Sequence, residues 1–173
     1  DGTMGVTTDL DRDGLPVVGV PKTIDNDIAS TEMTFGFQTA VEICTYSIDR
    51  LHTTAESHDR VLVVEVMGRH AGWIAAAAGL AGRKPDEAPH LILFPEVPFD
   101  PERFVARAAE CVERFGYCTI AVSEGLSDAA GNLIADSGSK DAFGHSQLGG
   151  VGQIVAHLIK DRLGHKYHWA LAD

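Results

Sequence analysis

Four short polar segments carry the residues most able to do chemistry in this chain. The first is Pro21-Lys22-Thr23-Ile24-Asp25-Asn26-Asp27. A carboxylate here can accept a proton from a substrate hydroxyl, and a second one can hold a hydrated magnesium ion, directly or through water. Lys22 can neutralise charge on a phosphoryl group in transfer, where positioned cations supply much of the catalysis. The same residues also suit an Asx-rich turn before a helix, where Asp and Asn make local hydrogen bonds. The second segment is Met67-Gly68-Arg69-His70-Ala71-Gly72. Its glycines admit a ligand to the backbone, the following helix start would favour an anion, and Arg69 adds a bidentate phosphate fork. It is neither a G-x-x-x-x-G-K-[ST] loop nor a dinucleotide G-x-G-x-x-G turn. The third is Pro95-Glu96-Val97-Pro98 and the fourth Ser123-Glu124-Gly125. Glu124 can hydrogen-bond sugar hydroxyls or stand as a solvated loop acid. Lys140 and His145, in a glycine-containing loop, could bring cations to a second phosphate. No His/Cys set has metal-ligand spacing, and no G-x-S-x-G elbow is present.

These segments need a scaffold, and the pattern between them supplies one. Strands are expected at Leu15–Val20, Arg60–Val66, His90–Phe94 and Tyr117–Val122, where β-branched and apolar residues run together. Arg60–Val66 is almost continuously apolar, the habit of a strand covered on both faces. Helices are expected at Thr31–Ala55, with Ser30 or Thr31 as N-cap, and at Ala71–Leu80. Two more are expected at Pro101–Phe115, capped by Asp100, and at Val151–Leu163, stopped by Gly164. The opening run from Asp1 reads as a polar turn, and Ala170–Asp173 as part of a further element. Strand–helix alternation of this kind gives an α/β fold, a parallel sheet in three αβα layers with right-handed crossovers, Rossmann-like. In such a sheet ligands bind beyond the carboxyl ends of the strands. All four polar segments lie at such ends.

Bulk properties narrow the partners. The 173 residues carry 14 Lys and Arg against 25 Asp and Glu, a net charge of -11, with 45% hydrophobic residues. Nucleic acid and an anionic membrane surface both ask for a basic face, so neither is an expected partner. Cys44, Cys111 and Cys118 form no C-x-x-C pair and read as buried hydrophobes of a reducing, cytoplasmic setting. The longest apolar stretch, Trp73–Ala81, falls far short of the about 20 residues a membrane span needs.

Pro21–Asp27 followed by Met67-Gly68-Arg69 resembles the 6-phosphofructokinase family, and the similarity runs from the first strand almost to the chain end. The resemblance implies the phosphofructokinase fold, with 1–30 on the donor side and 31–173 forming the sugar-phosphate region. It implies transfer of a phosphoryl group to the 1-hydroxyl of fructose 6-phosphate, with Mg2+, in a homo-oligomer (dimer or tetramer). Residue by residue it makes Asp25 the general base, Thr23 and Ile24 substrate contacts, and Asp27 the magnesium-side carboxylate. Met67, Gly68 and Arg69 become the sugar-phosphate loop, with Arg69 and Lys22 stabilising transferred charge. Glu124 holds the sugar hydroxyls, Arg60 reaches a neighbouring subunit's 6-phosphate, and Lys140 and His145 lie in the region gripping that phosphate. Lys22, His70–Ala78 and Ala142–His145 are most similar to the pyrophosphate-dependent branch; ATP as donor, or a non-catalytic sugar-phosphate-binding subunit, are the alternatives. Leu148 stands where bacterial ATP-dependent members carry arginine. The family's Gly-Gly-Asp donor segment and its C-terminal phosphate contact would lie outside residues 1–173, so the chain is expected to be a central fragment.

Overall fold

The structure, a computed structural model, describes residues 2–135 and 150–172. Its centre is a four-stranded, wholly parallel sheet of β3 (Val61–Val66), β4 (Leu91–Leu93), β5 (Cys118–Ser123) and β6 (Tyr167–Ala172), in the order β4-β5-β3-β6. Helices α2 (Phe37–Ser57) and α3 (Trp73–Ala78) cover one face; α4 (Pro101–Phe115) and α5 (Val151–Leu163) cover the other. Side chains alternate across a strand, so successive residues serve opposite layers. Val61, Val63, Ile120 and Val122 join Phe104, Val155 and Ile159 on the α4/α5 side. Leu62, Val64, Val66 and Ala121 join Ile48, Ile74 and Ala75 on the α2/α3 side. Two buried faces are the reason β3 reads as one apolar run, and the expected three-layer αβα arrangement is present.

One residue of β3 breaks the run. Glu65 is 2% exposed, and its carboxylate accepts hydrogen bonds from the backbone N–H groups of Gly150 (3.1 Å) and Gly152 (2.7 Å). The charge satisfies the first amides of α5, where the helix has no partners of its own and its dipole favours an anion. Among the described residues α5 has no other side-chain cap. α4 starts as its sequence dictates: Asp100 accepts from the N–H groups of Glu102 and Arg103 at 3.0 and 3.1 Å, and Pro101 occupies the first turn.

The N-terminal third departs from expectation. Residues Gly2–Arg12 form a helix, α1, in place of a polar turn. Leu15–Val20 forms no strand and belongs to no sheet, with Val18 89% and Val20 57% exposed. An apolar run declares that it can be buried, not that a neighbouring strand offers it a ladder. The strand in this region is β1 (Lys22–Thr23), paired in parallel with β2 (Phe35–Gly36) in a separate two-stranded sheet. Because 35–36 is used this way, α2 begins at Phe37, after Gly36 at φ 102°, and neither Ser30 nor Thr31 caps it. β6 completes the sheet beside β3 as an element that the alternation had not resolved.

Candidate active site

The segment after β1 is built by a division of labour among its residues. Asn26 adopts φ 55°, a left-handed conformation that Asn tolerates better than most residues. Its side-chain oxygen accepts from the N–H of Thr34 at 2.9 Å, and the Thr34 hydroxyl donates to the Thr23 carbonyl at 2.6 Å. These bonds clamp the loop against β2. Thr23 Oγ1 in turn accepts from the backbone N–H of Asp25 at 3.3 Å. Asn26 thus bonds across the loop to a residue eight positions on, in place of the local Asx turn expected before the helix, and this does not account for Asp25. The Asp25 Oδ1 atom is buried and has no hydrogen-bond partner among the described residues. A buried polar atom left unpaired costs stability, and such atoms concentrate where a ligand is to be met.

The second wall comes from the turn between β3 and α3. Gly68 sits at φ 129°, and a Cβ there would lie 2.6 Å from the Ala71 carbonyl oxygen, so only glycine fits. The Ser123 hydroxyl, at the end of β5, donates to the Gly68 carbonyl. Beyond it the Glu124 N–H extends the ladder to the Val66 carbonyl at 2.9 Å. Gly125 is packed directly on the Arg69 backbone: a Cβ would fall 1.9 Å from the Arg69 carbonyl oxygen. The Arg69 loop and the Glu124 loop are thus held as one surface.

Electrostatics tie the walls together. Burial raises the Asp25 carboxyl above the usual aspartate range, and the neighbouring Asp27 raises it further; Arg69 and His70 pull it back. Burial likewise raises Glu124, while a hydrogen bond from the Gly68 N–H and the charge of Arg69 lower it, and Asp25 and Glu65 push it up. Asp25, Asp27, Arg69, His70 and Glu124 therefore share one local field. Two carboxylates whose proton affinity is raised, beside a guanidinium, can exchange a proton and tolerate anionic charge.

Other residues named from sequence fall elsewhere. Ile24 and Met67 line an apolar cavity of about 290 Å³ with Ala40, Cys44 and Ile74. Lys22 is exposed on β1. Arg60 precedes β3, at the opposite end of the strand from Met67, with its Nε buried and without a hydrogen-bond partner among the described residues. Lys140, His145 and Leu148 lie outside the described residues. The expected open anion site at Gly72 is corrected: Glu96 Oε1 already accepts from the Gly72 N–H at 2.7 Å. The first polar segment leaves the small sheet, so three of the four segments, not all four, leave the main one. Asn26, Ser123, Glu65 and Gly125 were not singled out from sequence. Glu65 alone carried a signal, a charge inside an apolar strand.

An αβα layering with charged loops gathered beyond the carboxyl ends of its strands places the chain among the α/β proteins. The family model described as phosphofructokinase matches residues 1–171, and the chain belongs to that family. It is 54% identical over 164 residues to "Pyrophosphate--fructose 6-phosphate 1-phosphotransferase" of Amycolatopsis methanolica, covering 95% of this chain and 47% of that protein. It is 49% identical over 165 residues to "ATP-dependent 6-phosphofructokinase 2" of Streptomyces coelicolor, with 95% and 47% covered. The crystal structure of the pyrophosphate-dependent phosphofructokinase from Marinobacter aquaeolei superposes with a TM-score of 0.78 at 40% identity, over 98% of this chain and 40% of that one. The chain spans less than half the length of these relatives.

Proposed function

We propose that the protein containing this chain transfers a phosphoryl group from pyrophosphate to the 1-hydroxyl of fructose 6-phosphate, giving phosphate and fructose 1,6-bisphosphate. The observation that carries the reading is Asp25: a buried carboxylate oxygen with no partner among the described residues, raised in pKa, beside Arg69 and Glu124. In this reaction Asp25 takes the proton of the 1-hydroxyl as the oxygen attacks phosphorus, and the bridging P–O bond of the donor breaks to release phosphate. Arg69 and Lys22 offset the charge in transfer, Glu124 orients sugar hydroxyls, and Thr23, Ile24, Met67 and Gly68 shape the acceptor side. The unpaired Asp25 oxygen next to a second carboxylate suits a hard, oxygen-seeking cation, so Asp27 would hold Mg2+, directly or through water. When bound, the ion would shield the charge of the donor phosphates.

Residues 1–30 serve the donor and 31–173 the sugar phosphate, with Lys140 and His145 assigned to the 6-phosphate. Arg60, placed at the far end of β3, fits a contact to a neighbouring subunit's substrate in a dimer or tetramer. Pyrophosphate as donor makes the reaction close to reversible, serving glycolysis and its reverse in the cytoplasm. Among the described residues no helix is long and apolar enough to cross a membrane. ATP is the second reading of the donor, favoured by the Streptomyces coelicolor relative's name at nearly the same identity. The presence of both Asp25 and Arg69 speaks against a non-catalytic subunit. The test is turnover of the full-length protein with Mg2+ and fructose 6-phosphate, supplied with pyrophosphate or with ATP. Fructose 1,6-bisphosphate formed from pyrophosphate supports the proposal; product from ATP alone moves it to the second reading, and none from either overturns it.

A further inference from the structure

At the other end of the main sheet from the Glu124 loop, three ligand-type side chains converge. One ring nitrogen of His90, just before β4, the Cys111 sulfur of α4 and the Cys118 sulfur opening β5 all lie within 4.8 Å of one another. Cys118 begins β5 and Ser123 ends it, which sets this cluster about 17 Å along the strand from the Glu124 loop. All three cysteines of the chain are reduced and buried, yet these two are not inert filling in the way Cys44 is, whose thiol burial pushes up to about 11. We propose that Cys111 and Cys118 form a redox-responsive thiol pair, in which Cys111 is attacked first and an intrachain disulfide results.

The geometry assigns the order. Cys111 and His90 line a cavity of about 280 Å³ together with Arg107 and Arg114, whereas Cys118 is fully buried behind them. A small oxidant therefore meets Cys111, and Cys118 is the thiol within reach to resolve it. The Thr119 N–H donates to His90 Nδ1 at 3.0 Å, which leaves the neutral ring's proton on Nε2. As a thiol, Cys111 donates weakly to the Tyr117 carbonyl at 3.5 Å. As a thiolate it is stabilised first by the Cys118 S–H, then by His90 and the charge of Arg114, which bring Cys111 down to about 6 against its burial, while the bond to Cys111 and burial push Cys118 up. Asp86 and Glu110, which pair with Arg114 and Arg107, temper that positive field. Thiolate character with access is what makes one cysteine react before others.

A hydroperoxide is the matching oxidant class. The Cys111 thiolate attacks the terminal peroxide oxygen, the O–O bond breaks, and the leaving hydroxide or alkoxide carries away the electron pair. The Cys111 sulfenic acid is then attacked by the Cys118 sulfur; its S–O bond breaks, and the oxygen leaves as water with the Cys118 proton. The test treats full-length protein with hydrogen peroxide, then alkylates and digests it with trypsin, which cuts at Arg114 between the two cysteines. The expected product is a disulfide linking the Cys111 and Cys118 peptides, with Cys44 still alkylated. Cys118→Ser should stop Cys111 at a sulfenic acid that a β-diketone probe traps, and His90→Gln should slow alkylation of Cys111 at pH 7 several-fold. The pair is overturned if Cys111 in the folded wild type reacts no faster than Cys44. It is equally overturned if the isolated protein carries one zinc per chain that must be stripped before either thiol reacts.

Discussion

Asp25 is held in the fold at a cost, and that cost is legible in its titration. Its pKa is raised by burial and by Asp27, so the folded state binds this proton more tightly than the unfolded chain does. The linkage sign follows: Asp25 contributes stability at low pH that is lost as pH rises through its folded pKa. Asp25→Asn should therefore raise the melting temperature at pH 7, with the gap to wild type closing at acidic pH, while turnover drops by about 10²–10⁴-fold. A variant less stable than wild type at pH 7 would show that Asp25 is a structural turn residue instead. The base works only when ionised, so activity should fall on acidification with a midpoint above the ordinary aspartate range. A rate flat across that range would remove the assignment. Asn26, one residue on, behaves in the opposite way: its oxygen is spent on Thr34, and its loss should loosen the loop rather than the chemistry.

At the scale of elements, two contacts make the site rigid. Gly125→Ala places a methyl where the Arg69 carbonyl oxygen now lies, 1.9 Å away, so the Arg69 loop must move. The expected result is a loss of about 2 kcal/mol or more in denaturant unfolding together with a higher KM for the sugar phosphate. Glu65→Ala strands the Gly150 and Gly152 amides and should cost about 3 kcal/mol; Glu65→Gln, keeping one acceptor oxygen, should recover part of it. Elements with a complete local code were readable from sequence alone. Pro101–Phe115 had its Asp100 cap, its first-turn proline and its apolar stripe, and it appears with those bounds. β3 and β5 were legible for the same reason, since both faces of each are buried and the run of apolar residues has one reading. Leu15–Val20 was not: strand pairing depends on a neighbour remote in sequence, and no residue inside the run encodes one. The start of α2 was missed because Phe35–Gly36 is claimed by β1, a tertiary pairing that overrides helix propensity. Within the site, Asp25, Arg69 and Glu124 were readable as charged groups following apolar runs. Ser123 and Gly125 were not, because their work is close approach across two loops.

Over the whole molecule, the sheet separates two chemistries. Its carboxyl end carries Arg69 and Glu124, whose charges reach Asp25; its amino end carries His90, Cys111 and Cys118, and Arg60. Arg60 lies at the amino end of β3, away from the Met67 loop, and under the proposed function it would serve a neighbouring subunit's site. Arg60→Ala in the full-length protein should raise the KM for fructose 6-phosphate with little change in kcat. Mixed after reversible dissociation, Arg60→Ala and Asp25→Asn subunits should regain part of the wild-type rate, because one interface then carries both native residues. Mixtures no more active than the separate variants would place Arg60 outside any shared site.

The central claim is that Asp25 is the proton acceptor for the sugar hydroxyl. Its most direct test pairs turnover with binding in full-length Asp25→Asn, using pyrophosphate, Mg2+ and fructose 6-phosphate, with sugar-phosphate affinity measured by calorimetry. The account predicts affinity within a few-fold of wild type and turnover lower by at least about 10². Near-normal turnover, or a loss explained entirely by weakened binding, would contradict it.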